Sequence, residues 1–226
     1  MQELIKTETE EEEKVWRKRM STILIGLMEA NPGYDSIVYG RFEGDSYTEI
    51  VCVEKVSGPG NGKRSTPKGR LQTRKQNDFL KKVRQQLPGE VRTALVCGGK
   101  SNDEALKVGL QSGVPVYDGD GEEVFGFIVA TRDIYGIVDQ QLSNRHSASE
   151  IIVVCDRFDV MSHKAEGQLV PESRSALVSD VAPWCTPAIE HLKTHADFLD
   201  DSNSEIYGAR IWFDPQESGL MFLLKL

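Results

Sequence analysis

The chain has 226 residues, 39% of them hydrophobic and 27% charged, with a net charge of −8. That length suits one large or two small domains. The acidic balance, with no basic stripe interleaved with aromatics, argues against nucleic-acid binding. No apolar run reaches the roughly 18 to 20 residues that span a bilayer. Nor does the N-terminus read as a signal peptide, because Thr7 to Glu13 is polar and mostly acidic where an apolar core would sit. The four cysteines, Cys52, Cys97, Cys155 and Cys185, lie far apart without a C-x-x-C pair. They fix neither the redox compartment nor a disulfide connectivity.

Residues 8 to 31 read as one helix. Trp16, Met20, Ile23, Leu24, Leu27 and Met28 recur at helical spacing, and Asn31-Pro32-Gly33 ends it. Its acidic first turns suit the helix dipole. Ser36 to Gly40 and Glu49 to Val56 then read as strands joined through Glu43-Gly-Asp-Ser, and Gly58 to Gly62 as a loop. In "GRLQTRKQNDFLKKVRQQL" the residues Leu71, Phe79, Leu80, Val83 and Leu87 outline a helix face, with a break near Asn77. A strand begins at Val91, followed by the polar stretch "GGKSNDEALKVGLQSG".

Next comes "PVYDGDGEEVFGFIVATRDIYGIV", two apolar runs (Val114–Tyr117 and Val124–Ala130) around an acidic, Gly-rich centre. A calcium loop fails on spacing: counted from Asp118, the sixth position is Glu123 and the twelfth is Val129, where Gly and Glu are needed. Asp-Gly between apolar runs instead predicts a hairpin, since Gly accepts positive φ. A helix follows from Thr131, carrying Ile134, Ile137, Val138 and Leu142 to Ser143-Asn144. "EIIVVC", a turn over Asp156–Asp159, and Val160–His163 then read as strand, turn and strand. Thr186-Pro187 opens a helix with Thr as N-cap and Pro at the first position. Strands Ile206–Phe213 and Leu220–Leu226 close the chain.

Catalytic signatures do not occur: there is no nucleophile elbow, P-loop, G-x-G-x-x-G or H-E-x-x-H. Cys155 with His163 can be drawn as a dyad, but a cysteine on an apolar strand is more often a small buried hydrophobe. Cys185 with His191 and His195, one turn apart, is the one metal-like spacing, and Asp197 or Asp200 would have to complete it. The simpler reading is two polar histidines flanking the stripe Ile189, Leu192, Ala196 and Leu199, so neither metal nor cofactor is expected. Among the cations, Arg70, Arg74, Lys75 and Arg92 are the best ligand-binding candidates, because Arg offers a bidentate fork to a carboxylate.

Five stretches carry a family resemblance. "YDSIVYGRFEGDSYTEIVCVEK" followed by "GRLQTRKQNDFLKKV" resembles the start of double Cache domains, also called PDC sensor domains. The hairpin segment resembles that family's central hairpin. "EIIVVCDRFDVMSH" resembles the opening strands of its membrane-proximal half, and "YGARIWFDPQESGLMFLLKL" the closing strands seen in bacterial sensor histidine kinases. The family's amino-acid-binding signature, Arg followed by Trp-Tyr and a later Tyr-x-Asp, is not visible here.

The resemblance implies an α+β fold: a long N-terminal helix (1–33), a membrane-distal PAS-like Cache domain with a connecting helix (34–140), and a smaller membrane-proximal PAS-like domain (141–226). It also implies an extracytoplasmic ligand sensor for a membrane-bound receptor, most of all a sensor histidine kinase, with no catalysis of its own. In such a sensor, ligand closes the distal pocket and shifts populations through the N-terminal helix and closing strands toward the membrane. A cytoplasmic PAS- or GAF-like regulatory module is the alternative, and a small hydrolase or metalloenzyme a third class.

The distal pocket is expected to draw on Tyr39 and Arg41 from the first strand, Arg74 and Phe79 from the helical segment, and Arg92 from the next strand. Tyr117 and Asp118 at the hairpin complete the set. Such a set suits a small anionic or zwitterionic metabolite, because a buried carboxylate needs a paired charge. Expected partners are that ligand and a second copy, docked through the helix stripe Trp16, Met20, Leu24, Leu27 and Met28. Contact with the membrane would run through flanking segments absent from this chain.

Overall fold

The computed structural model describes residues 10–55, 62–66, 71–97, 108–118, 123–134, 138, 149–155, 160–166, 168–170, 176–194, 198–214 and 218–226. It divides into two compact units: residues up to Thr93 with Leu110–Arg132, and Ala94–Gly109 with Asp133–Leu226. The loop around Gly58, the hairpin tip 119–122, the turn 156–159, Arg70, His195 and most of the helix expected from Thr131 lie outside the described residues.

The first helix, α1, runs Glu10–Ala30. Met20, Leu24 and Met28 repeat at i+4 and are buried against Ile37, Tyr39, Val51, Val53 and Val116 of the sheet below. At Asn31 the backbone N–H and the side-chain amide both donate to the Leu27 carbonyl, which ends the helix before Pro32. Ile23 and Leu27, read above as part of one apolar face, are instead 56% and 47% exposed, as is Val15 at 44%.

That sheet holds β1 (Ser36–Glu43), β2 (Ser46–Lys55), β3 (Lys63–Ser65), β4 (Thr73–Lys75), β5 (Arg92–Cys97), β6 (Val108–Tyr117) and β7 (Val124–Asp133). The order is β3-β2-β1-β7-β6-β5, with β4 on β2. Gly44, at φ +60°, makes the tight turn between β1 and β2. A register shift opposite Tyr39/Gly40 puts an extra β2 residue, Ile50, into the ladder. Alternation then assigns Ile37, Tyr39 and Arg41 to the α1 face and Val38, Gly40 and Phe42 to the other.

Three sequence expectations change in this unit. The helix expected over Leu71–Leu87 exists only as α2, Asp78–Arg84, with Asn77 as N-cap accepting from the Leu80 N–H at 2.8 Å. The preceding Thr73–Lys75 is a strand, paired antiparallel with Ser46–Thr48. Gln76 is the reason: its side-chain amide donates to the carbonyls of Gly44 (2.7 Å) and Ser46 (3.1 Å), pinning the chain to the β1–β2 turn before any helix can start. The polar stretch before the hairpin is strand from Val108 onward, and Gly113 sits in it for lack of room. A Cβ there would stand 2.8 Å from Val83 Cγ2 and 3.1 Å from Phe79 Cζ. Finally, β7 continues to Asp133, so any helix after Thr131 begins later, although Ile134 and Val138 are buried as expected of one.

The second unit repeats the same order. Its strands are β8 (Glu150–Cys155), β9 (Val160–Ala165), β10 (Gln168–Leu169), β11 (Phe198–Asp201), β12 (Ile206–Asp214) and β13 (Ser218–Lys225), arranged β10-β9-β8-β13-β12-β11. Two helices, α3 (Val178–Val181) and α4 (Cys185–Thr194), pack on one face. Ile152, Val154, Val160, Met221 and Leu223 meet Val178, Cys185, Ile189 and Leu192 there. Thr186 is not the N-cap: the Cys185 and Thr186 N–H groups donate back to Ala182 and Pro183, so the helix starts earlier and Pro187 falls in its first turn. The described helix runs to Thr194, and Leu199 belongs to an edge strand.

Two glycine substitutions test this packing in opposite directions. Gly26, in α1, has nothing within 4 Å of a built Cβ. Gly26→Ala should raise the unfolding free energy by about 0.8 kcal/mol, while Gly113→Ala should lower it by about 1–3 kcal/mol through overpacking, both read by urea unfolding.

Candidate functional site

The seven expected ligand-binding residues do not converge; the first sheet separates them. Tyr39 lies on the α1 face, 1% exposed, within the core of Met20, Leu24 and Met28. Its hydroxyl is buried without a hydrogen-bond partner, and burial pushes the phenol up to about 12, with Arg41 opposing. Arg41 shares that face and pairs with Glu43 at 2.8 Å, near the open end of the sheet. This hydrogen bond and one from Thr48 hold the Glu43 carboxyl below the usual range.

The opposite face, which carries α2, collects the rest. Phe127 lies over Gly40, where a Cβ would stand 2.4 Å from its Cζ. Phe42 meets Phe127 at 5.1 Å between ring centres, and Tyr47 meets it edge-on at 5.3 Å. Arg84, from α2, stacks over Phe42 at 5.2 Å and donates to the Gly44 carbonyl at 3.0 Å. Arg74 pairs across β4–β2 with Tyr47 and is exposed, its Nε donating to Gln72 at 2.6 Å. Burial pushes the Tyr47 phenol up, and the adjacent Arg74 guanidinium pulls it back. Cys52 is half-buried near by, its thiol raised by burial and lowered by a hydrogen bond from Thr66.

Phe79 is buried beneath this layer, against Gly113. Thr93 bonds Ser112 at 3.0 Å, and alternation from that pair puts Arg92 on the α2 face. Tyr117 donates its hydroxyl to the Gln86 carbonyl just past α2, fastening β6 to that segment. Asp118 closes the hairpin: its N–H donates to the Glu123 carbonyl at 2.9 Å and its Oδ1 accepts from the Glu123 N–H. The α2 face therefore holds Arg74, Arg92, Phe79 and Tyr117 from the expected set, over an aromatic floor the sequence reading missed. Phe42 and Tyr47 face each other across the Gly44 turn. Counting outward from that turn could have paired them.

The expected metal spacing is pulled apart. Cys185 is 0% exposed in the core of the second unit, while His191 lies on the exposed side of α4. Cys155 and His163 point from opposite faces of their sheet: Cys155 pairs with Leu220, whereas His163 pairs with Ile152 of the helix-covered face. Among the described residues, no three His, Cys, Asp or Glu side chains form a group that could hold a metal ion.

The solved structures similar to this chain include sensory domains. The extracellular domain of the candidate histidine kinase vpHK1S-Z8 aligns over 98% of this chain and 79% of its own at 14% identity and a TM-score of 0.63. A domain of a sensory box/GGDEF family protein from Vibrio parahaemolyticus aligns over 98% and 80% at 14% identity and 0.66. The periplasmic sensory domain of the Campylobacter jejuni chemoreceptor Tlp1 aligns over 92% and 77% at 11% identity and 0.52. No protein-family model matches the chain, and no curated protein matches it in sequence. At these identities the likeness establishes the fold alone: an N-terminal helix followed by two antiparallel sheets, an α+β arrangement.

Tyr39 gives a pH-dependent test. Its folded phenol stays protonated to about 12 against an ordinary 10.0. The folded state is thus favoured below the ordinary value, and that advantage is lost as pH rises through the folded one. Tyr39→Phe should remove about 2 kcal/mol of alkaline destabilisation, and at neutral pH it should be neutral or slightly stabilising. Urea unfolding at pH 8 and above pH 11 checks both.

Proposed function

We propose that this chain is the extracytoplasmic ligand-sensing region of a membrane-bound signalling receptor of the histidine-kinase type. The observation that carries the reading is the fold itself, matched along nearly the whole chain by extracellular and periplasmic sensory domains. No described helix is long and apolar enough to cross a membrane. The extracellular and periplasmic locations of these neighbours favour this reading over a cytoplasmic PAS- or GAF-like module, and in it the sensor has no catalytic role of its own.

The ligand in this reading is a small anionic or zwitterionic metabolite on the α2 face of the first unit. Arg74 at the rim supplies positive charge for a carboxylate, Arg92 lies on β5 at the opposite edge of the sheet, and Phe42, Tyr47 and Phe79 supply apolar and aromatic surface. Tyr39 and Arg41 take no part in it, because they face α1. Binding favours one of two arrangements of the β1–β2–α2 layer, and β1, shared with α1, passes the bias to the helix.

Receptor action also implies a homodimer through α1, but not by the stripe drawn from sequence. Met20, Leu24 and Met28 are core, so the outward face is Val15, Ile23 and Leu27. Sedimentation should show weak self-association abolished by Ile23→Glu with Leu27→Glu; a strict monomer up to millimolar concentration would remove the dimer from the proposal.

The ligand reading is tested by thermal-shift and calorimetric screening of amino acids and small carboxylates. Arg74→Ala should cost the binder at least about 2 kcal/mol, from the unpaired carboxylate, and Arg41→Ala should cost nothing. If Arg74, Arg92 and Tyr117 can each be replaced without loss of affinity, the site lies elsewhere.

A further inference from the structure

The turn that leaves α1 is tied to the end of β7, far along the chain. The Asp35 N–H donates to the Thr131 carbonyl at 2.8 Å, and the Asp35 carbonyl accepts from the Lys55 N–H, also at 2.8 Å. One residue thus closes on both strands that flank β1, just ahead of Ser36, where β1 begins. The Thr131 hydroxyl accepts in turn from the Gln111 side-chain amide at 3.4 Å. Tyr34, whose N–H donates to the Asn31 carbonyl at 3.1 Å, packs with Ala130 against the core under α1.

Arg132 completes the joint. Ala130 lies opposite Ile37 on the α1 face, and Arg132, two residues on, falls on the same face. Its Nε donates to the Gly33 carbonyl at 3.3 Å, and its guanidinium carbon stands 5.8 Å from the centre of the Tyr34 ring. Gly33 provides the seat. A Cβ there would lie 2.3 Å from Nη2 and 2.7 Å from both Cζ and Nε, so the guanidinium occupies the space a side chain at this position would take. Arg132 is also the last residue of the first unit, and Asp133 belongs to the second.

We propose that the Arg132 guanidinium, seated on Gly33 and Tyr34, is a latch that makes the end of α1 and the end of β7 move as one body. A shift of α1 is then delivered to the residue at which the chain passes into the second unit. Segments held by few contacts open locally and alone, whereas tied segments open together. Without the guanidinium, the Asp35–Thr131 bond is what remains between the helix exit and the strand end, and loosening of α1 stops at its exit turn. With it, the exit turn, Tyr34 and Thr131–Arg132 form one cooperative piece. In the receptor reading the latch is a second route beside β1, but the coupling itself needs no ligand and does not depend on that reading.

Residue-resolved hydrogen exchange on the whole chain tests the coupling separately from stability. Each rate is read relative to the Val51 and Val53 amides in the buried middle of β2, which report opening of the whole unit. Met28→Ala loosens α1 in its seat, since Met28 is fully buried in that core. With Arg132 in place it should speed exchange at Tyr34 and Asp35 and, together with them, at Thr131–Asp133. Combined with Arg132→Met, which keeps an apolar stem and removes the guanidinium, it should still act at Tyr34 but raise exchange at Thr131–Asp133 roughly tenfold less. Gly33→Ala, which fills the seat and displaces only the end of a flexible side chain, should reproduce this uncoupling with Arg132 intact. The proposal is overturned if Met28→Ala leaves Thr131–Asp133 unchanged in the otherwise native chain. It is overturned equally if the effect there survives both Arg132→Met and Gly33→Ala. No ligand is added, so failure of the latch and failure of the sensing reading are told apart.

Discussion

The approach of Phe127 to Gly40 is the constraint on which the first unit rests. β7 can lie beside β1 only because neither Gly40 nor Gly126 carries a side chain at the crossing: a Cβ on Gly126 would come within 2.6 Å of the Gly40 carbonyl oxygen, and one on Gly40 would enter the Phe127 ring. With that room given, Phe127 fills the centre of the α2 face and Phe42 and Tyr47 gather around it. The strand order follows, since β7 between β1 and β6 joins the two hairpins into one sheet. The ligand face and the α1 core are then the two sides of β1, distinguished only by alternation.

Polar groups at strand ends do a different job from the apolar middle. Gln76 and Arg84 both reach the Gly44 carbonyl, so the β1–β2 turn, β4 and α2 are fastened at one point. Tyr117 fastens β6 to the end of α2 in the same manner. These bonds are what hold short elements, a three-residue strand and a seven-residue helix, that would be unstable alone. In the second unit the corresponding role falls to apolar packing, with Gly208 admitting Leu192 and Leu199 close to the sheet.

Much of this was legible in the sequence, and the reasons for the exceptions are physical. The i+4 repeat of Met20, Leu24 and Met28 and the turn at Gly44 are local signals, so α1 and the β1–β2 hairpin could be read directly. "LQTRK" could not, because its strand character comes from pairing with residues some thirty positions earlier and from the Gln76 side chain, both tertiary. Gly109 and Gly113 hid β6 for a similar reason: glycine disfavours strands locally, and only the closeness of Phe79 and Val83 explains it there. Arg41 and Arg74 looked alike in sequence. A cation's worth to a site depends on which face its strand presents, and the Ile50 bulge resets the count along β2.

The cysteines, finally, bear on chemical durability. Cys155 and Cys185 are buried, Cys52 is half-buried, and none of these three is in a disulfide. Burial raises the thiols of Cys52 and Cys185 above their ordinary range, and the protonated thiol is a poor nucleophile toward disulfides and oxidants. Cys155 and Cys185 also sit on opposite sides of one sheet, so they cannot reach each other while the fold holds. At these three positions the packing itself resists cross-linking and mispairing, without depending on a reducing compartment.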